Sequence, residues 1–134
     1  MDKRRISTII LIAAIITGAG LLYSKARRPA YENPAKNILV KAEENFIIKL
    51  DSNPTTGYQW QLAQAPDSNI LELVFHEYQA SQSKLMGAGG KEAWVFKARG
   101  PGKAKLTFQY LRPWEKSTKP VEITEFIIIV GSLT

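Results

Sequence analysis

The sequence predicts an all-β domain, an immunoglobulin-like sandwich or small barrel, preceded by one apolar N-terminal helix. Three observations lead there. From Ile38 onward, apolar residues recur with a period of two rather than 3.6. Asn, Pro, Gly and Asp punctuate these runs at short intervals, as they do in sandwiches of short strands. Residues 1–36 differ in kind, with a basic start, a long apolar run and then a polar, proline-containing stretch.

The apolar run extends from Ile6 to Leu22 behind Lys3, Arg4 and Arg5, broken only by Ser7, Thr8, Thr17, Gly18 and Gly20. Its length falls between a signal peptide's hydrophobic region and a full membrane span, so residues 1–23 read as a signal peptide or a signal-anchor helix. Thr17-Gly18-Ala19 and Ser24-Lys25-Ala26 both fit a small-x-Ala cleavage pattern, but Lys25, Arg27 and Arg28 directly behind the run favour an anchor. The expected location is outside the cytoplasm, periplasmic or extracellular, with membrane attachment through residues 6–22 if they are retained and secretion if they are cleaved. Residues 24–36 carry Pro29, Asn33 and Pro34 without apolar periodicity and read as a linker with an extended reach of ~40 Å. A single, monomeric folded domain is then expected over 37–134.

Within that domain Phe46, Ile48 and Leu50 alternate, and Tyr58, Trp60 and Leu62 share a second face. Leu71, Leu73 and Phe75 mark a strand within Asn69 to Gln79, and Trp94, Phe96 and Ala98 mark another within Ala93 to Arg99. Lys103 to Leu111 alternates through Ala104, Leu106, Phe108 and Tyr110. Val121 to Val130 is rich in β-branched residues, and its alternation breaks at Phe126 and Ile127, where a bulge or burial on both faces is expected. Pro66-Asp67-Ser68-Asn69 and Gly100-Pro101-Gly102 read as plain turns.

Composition removes several function classes. The net charge is +6, yet residues 1–36 carry seven Lys/Arg against two Asp/Glu, while the remainder carries eleven against ten. A nearly neutral folded part offers no basic face for nucleic acid. With no cysteine, the chain has no disulfide, thiolate nucleophile, Cys-based zinc site or lipid-modified cysteine. His76 is the single histidine and falls on an alternating run opposite Leu73 and Phe75, where it reads as an exposed strand residue. Glu43 and Glu44 are adjacent and would point to opposite faces of a strand, unlike a paired acid and base. Neither an enzyme, a metal site nor a cofactor is expected.

Three connections are not plain turns. Asn53-Pro54-Thr55-Thr56-Gly57-Tyr58 links two strands through a proline with fixed φ, two threonines stiff at χ1 and a glycine that permits positive φ. A loop with so few alternatives binds with little ordering cost. Gly87-Ala88-Gly89-Gly90 is nearly free of side chains, but lacks the lysine, hydroxyl residue and following helix of a phosphate loop. Arg112-Pro113-Trp114 places a large ring on a charged connection, and Arg and Trp are enriched at interface hot spots. If strands run alternately up and down from Phe46, these three connections are the first, third and fifth and share one end.

In this order and at this spacing, Asn53-Pro54-Thr55-Thr56-Gly57-Tyr58, Gly87-Ala88-Gly89-Gly90 and Arg112-Pro113-Trp114 resemble the three loop motifs of the chagasin family of cysteine peptidase inhibitors. The resemblance spans about 37–134. It implies an immunoglobulin-like β-fold whose loops enter the active-site cleft of a papain-like cysteine peptidase as a reversible, competitive wedge. Thr55 and Thr56 would lie across the enzyme's catalytic Cys and His, Gly87 to Gly90 would pack on the non-primed side, and Arg112 and Trp114 would occupy the primed side. The other reading is a membrane-tethered adhesion or carbohydrate-binding sandwich that stacks its Trp and Tyr loops on a ligand.

Overall fold

The computed structural model describes residues 28–82, 89–116 and 118–132. The apolar N-terminal segment and the expected helix lie outside the described residues, as do Gly87 and Ala88. Eight strands are described: β1 (Ala30–Tyr31), β2 (Ile38–Lys41), β3 (Asn45–Ser52), β4 (Gln59–Leu62), β5 (Leu71–Gln79), β6 (Gly90–Ala98), β7 (Gly102–Leu111) and β8 (Glu122–Gly131). They form two four-stranded sheets, ordered β1-β3-β6-β5 and β2-β8-β7-β4. Among the described residues the helical content is one 3-10 turn, Pro54–Thr56.

The period of two is what closes the sandwich. Phe46, Ile48 and Leu50 of β3, Trp94, Phe96 and Ala98 of β6, Leu106 and Phe108 of β7, and Phe126, Ile128 and Val130 of β8 are all buried. Phe46 stacks on Phe96 at 5.6 Å within one sheet, while Phe108 of the other sheet meets Phe96 edge-on at 6.4 Å and Phe126 at 5.9 Å. Each such ring contributes about 1.5–3 kcal/mol by burial, so this aromatic layer joins the buried aliphatic residues in holding the sheets together.

Several details depart from what the sequence suggests. The stretch read as linker, 24–36, contributes β1, which pairs in parallel with β3 through Ala30 opposite Ile47. Two strand residues between prolines are too few to show a period. The bulge lies in β5 between Leu73 and Phe75, whereas β8 pairs without interruption along β7. In β8 the broken alternation instead reflects Ile127 and Ile129, which are half-buried on the outer face. His76 is exposed, as the sequence suggests, but beyond the β5 bulge it is paired with Trp94, on whose ring it stacks at 4.1 Å with planes 9° apart. Glu43 and Glu44 fall in the turn between β2 and β3 rather than on a strand, and Glu43 adopts φ 75°.

Register fixes where the connections go. Ser52 at the end of β3 is opposite Gly90 at the start of β6, and Gln79 at the end of β5 is opposite Lys91. In the second sheet Gln59 at the start of β4 is opposite Leu111 at the end of β7. The connections 53–58, 80–89 and 112–121 therefore emerge at one end, and 63–70 and 99–101 at the other.

Candidate functional site

The first loop is held by its own short side chains. Asn53 is extended, with φ −133° and ψ 90°, and its Oδ1 accepts from the Thr55 amide at 3.3 Å and from Thr55 Oγ1 at 2.6 Å. Its carbonyl accepts from the Thr56 amide at 3.2 Å and from Thr56 Oγ1 at 2.7 Å. The Gly57 amide then donates to the Pro54 carbonyl at 3.0 Å, closing the turn. An Asn N-cap, proline just inside and a left-handed Gly57 at φ 84° give each residue the conformation its chemistry favours.

The third loop folds over the first. Arg112 Nε donates to the Thr56 carbonyl at 3.2 Å, its guanidinium lies 4.5 Å from the centre of the Tyr58 ring, and its Nη1 donates to Glu115 at 3.3 Å. Tyr58 stacks on Tyr110 at 5.4 Å, and Tyr110 packs on Trp60 at 4.8 Å, which runs the contact down into the core. The Trp114 ring lies across Gly57, where a Cβ would overlap it, yet 64% of Trp114 faces solvent. Gly57 is thus required twice, for its positive φ and for the ring above it.

The glycine-rich loop is described only at its end. There Gly89 sits against the base of the first loop, with a notional Cβ 3.0 Å from the Ser52 carbonyl. Gly90 opens β6 opposite Ser52. Of the expected site residues, Asn53, Pro54, Thr55, Thr56, Gly57, Tyr58, Arg112 and Trp114 form one cluster. Pro113 is exposed beside it, and Gly89 and Gly90 adjoin it.

Four supporting groups lie outside the three loop motifs, and of these the sequence marks Trp60 and Tyr110 only as members of alternating strand faces. Tyr110 Oη accepts from the Asn53 amide at 3.0 Å, and Trp60 Nε1 donates to the Asp51 carbonyl at 2.8 Å. Glu92, 6% exposed, accepts through one oxygen from Ser52 Oγ at 2.7 Å and from the Trp60 amide at 3.1 Å. Extending the alternation of Phe96 and Trp94 two residues back would have placed Glu92 inward. Outside the sandwich, Lys91 bridges Glu32 and Asp51, the latter at 2.8 Å. Hydrogen bonds to Asp51 first and Glu32 second raise its pKa above the ordinary lysine range.

Nothing in this cluster is arranged for bond chemistry. Its exposed residues are Pro54, Thr55, Thr56, Pro113 and Trp114, and no group of three metal-ligating side chains occurs among the described residues. A family model described as Chagasin family peptidase inhibitor I42 matches residues 39–130. The chain belongs to the chagasin family. That family consists of peptidase inhibitors rather than enzymes. The chain is 36% identical to chagasin of Trypanosoma cruzi over 80 residues, 58% of this chain and 73% of that protein. Its fold matches the cysteine protease inhibitor EhICP2 from Entamoeba histolytica at TM-score 0.62, with 19% identity, covering 77% of this chain and 95% of the other. It also matches PbICP-C, solved in complex with falcipain-2, at TM-score 0.51 and 18% identity, covering 79% and 89%. These chagasin-family likenesses cover the two-sheet domain.

Proposed function

We propose that this chain is a reversible, competitive inhibitor of papain-like cysteine peptidases that inserts the loops at one end of its sandwich into the active-site cleft. The observation that carries the proposal is the joined tip, in which Arg112 and Trp114 are fixed on an internally bonded Asn53–Tyr58 loop. The solved complex of PbICP-C with falcipain-2 supports the partner class.

The geometry supplies a reason for inhibition without cleavage. A peptidase attacks a carbonyl only when it is closely and correctly aligned. Here the carbonyls of Asn53, Pro54 and Thr56 already accept hydrogen bonds inside a 3-10 turn or from Arg112, so the segment resists being drawn into an extended, reactive path. Thr55 and Thr56 would cover the catalytic Cys and His, Trp114 and Arg112 would fill the primed side, and the Gly87–Gly90 segment the non-primed side. Preorganisation keeps the ordering cost of this contact small.

The same reading includes export. β1 runs parallel to β3, toward the loops. A tether through residues 6–22 would hold the domain at a membrane surface. N-terminal sequencing of the exported protein distinguishes an anchor from a cleaved signal.

The deciding experiment titrates the full chain against papain. The expected outcome is stoichiometric inhibition relieved by dilution, a raised apparent KM at constant kcat, and an uncut inhibitor after prolonged incubation. Full papain activity at large molar excess would instead favour an adhesion or carbohydrate-binding role for the exposed Trp114.

A further inference from the structure

We propose that Glu92 is a positioning residue, a buried carboxylate that clamps both stems of the Asn53–Tyr58 loop and sets the angle at which the tip is presented. The inference rests on the inhibitory reading above for its consequence, but not for its structural test.

Glu92 occupies the inward position of β6 opposite Leu50 and Tyr78, and with Ser52 it is one of two buried polar residues among the described residues. A carboxylate there is costly to bury, and replacing such a group by an apolar residue is often neutral or stabilising in proteins. What it does there is shown by its partners. Ser52 is the last residue of β3, in the same sheet, while Trp60 belongs to β4 in the other. These two strands are the stems of the first loop, and a single oxygen, Oε2, accepts from both. The bond to Ser52 fixes where the loop leaves one sheet, and the bond to the Trp60 amide fixes where it enters the other. Trp60 Nε1 repeats the link by donating to Asp51, and Tyr110 Oη holds the Asn53 amide just above. Charge-assisted bonds of this type are stronger and more directional than neutral ones, which suits a clamp between two sheets.

The test compares Glu92→Leu, which removes the acceptor, with Glu92→Gln, which keeps one in nearly the same place. In the free full-length protein, Glu92→Leu is expected to speed amide exchange at Asn53, Thr56 and Gly57 about tenfold and to weaken papain inhibition by a similar factor, as loss of a bond to a charged acceptor allows. Glu92→Gln should restore both toward wild type. Ile70→Ala, at the far end of the sandwich, serves as a control for general destabilisation, and should leave loop exchange and inhibition unchanged. If Glu92→Leu does not fold, Ser52→Ala removes one arm of the clamp and should show the same two changes at smaller size. Wild-type loop exchange in the folded variants would overturn the proposal, as would weakened inhibition without faster exchange. Faster exchange in a protein that never inhibits papain would uphold the clamp and sink the inhibitory reading alone.

Discussion

Both ends of the sandwich carry an internally hydrogen-bonded turn, but the two differ in which way their side chains point. At the plain end, the Asp67 carbonyl accepts from the Ile70 and Leu71 amides, both at 2.9 Å, and Asp67 Oδ1 accepts from Asn69. Ile70 then folds inward and packs against Gly102. At the tip, the same Asx-type bonding of Asn53 serves a turn with no buried residue, and the nearby tryptophan is turned outward. Ordering a loop is therefore not by itself a mark of function. Ordering one beside a tryptophan left largely in water is such a mark, because that arrangement gains little for folding and much for binding.

The comparison breaks most visibly at Trp114. Trp114→Ala is expected to weaken papain inhibition by at least about 2 kcal/mol, roughly thirtyfold, while the melting temperature barely moves. Gly57→Ala sharpens the point, since a Cβ there both strains a left-handed residue and displaces the ring. Its effect on inhibition should therefore shrink in a Trp114→Ala background, as expected for residues in contact. Additive effects would show that the ring and the glycine act separately.

Ile70→Ala is the counterpart at the other end. Its half-buried side chain should contribute about 1–2 kcal/mol to stability, seen as a drop of roughly 4–8 °C or somewhat more in Tm, with an unchanged inhibition constant. A changed inhibition constant would mean that the two ends are mechanically coupled and that the distinction between them is wrong.

How much of this was legible in the sequence follows the same division. Core strands show themselves because Phe46, Phe96, Phe108 and Phe126 must face one way, and period two records it. The tip motifs show themselves because Pro54 and Gly57 bracket two stiff threonines and because Trp114 is a large ring on a charged connection. Glu92, Ser52 and Tyr110 stayed hidden because each occupies an ordinary strand position and acts only through a neighbour brought close by pairing. The β5 bulge was hidden for a related reason: Val74, Phe75 and His76 carry no local signal of which face they take once register shifts against β6. β1 escaped because its strand character comes entirely from β3.

The smallest expected effect concerns the ion pairs beside the tip. Lys91 ties Glu32 and Asp51 together, yet all three are substantially exposed, so solvent screening limits the contribution to roughly 0–1 kcal/mol. Because its partners raise the Lys91 pKa, that contribution is fully present below the unfolded lysine value of about 10.4 and is lost only as pH rises through the higher folded value. Across the neutral range Lys91→Met should therefore lower Tm by a small, pH-independent amount that disappears at high salt, with inhibition nearly unchanged. The Asn53–Tyr58 turn itself is held by neutral hydrogen bonds, a buried carboxylate and ring packing, which salt screens poorly, while Arg112 ties the third loop to it through the Thr56 carbonyl and the Tyr58 ring. A large, salt-sensitive loss of inhibition in Lys91→Met would transfer the tip's rigidity from that buried network to its charged flank.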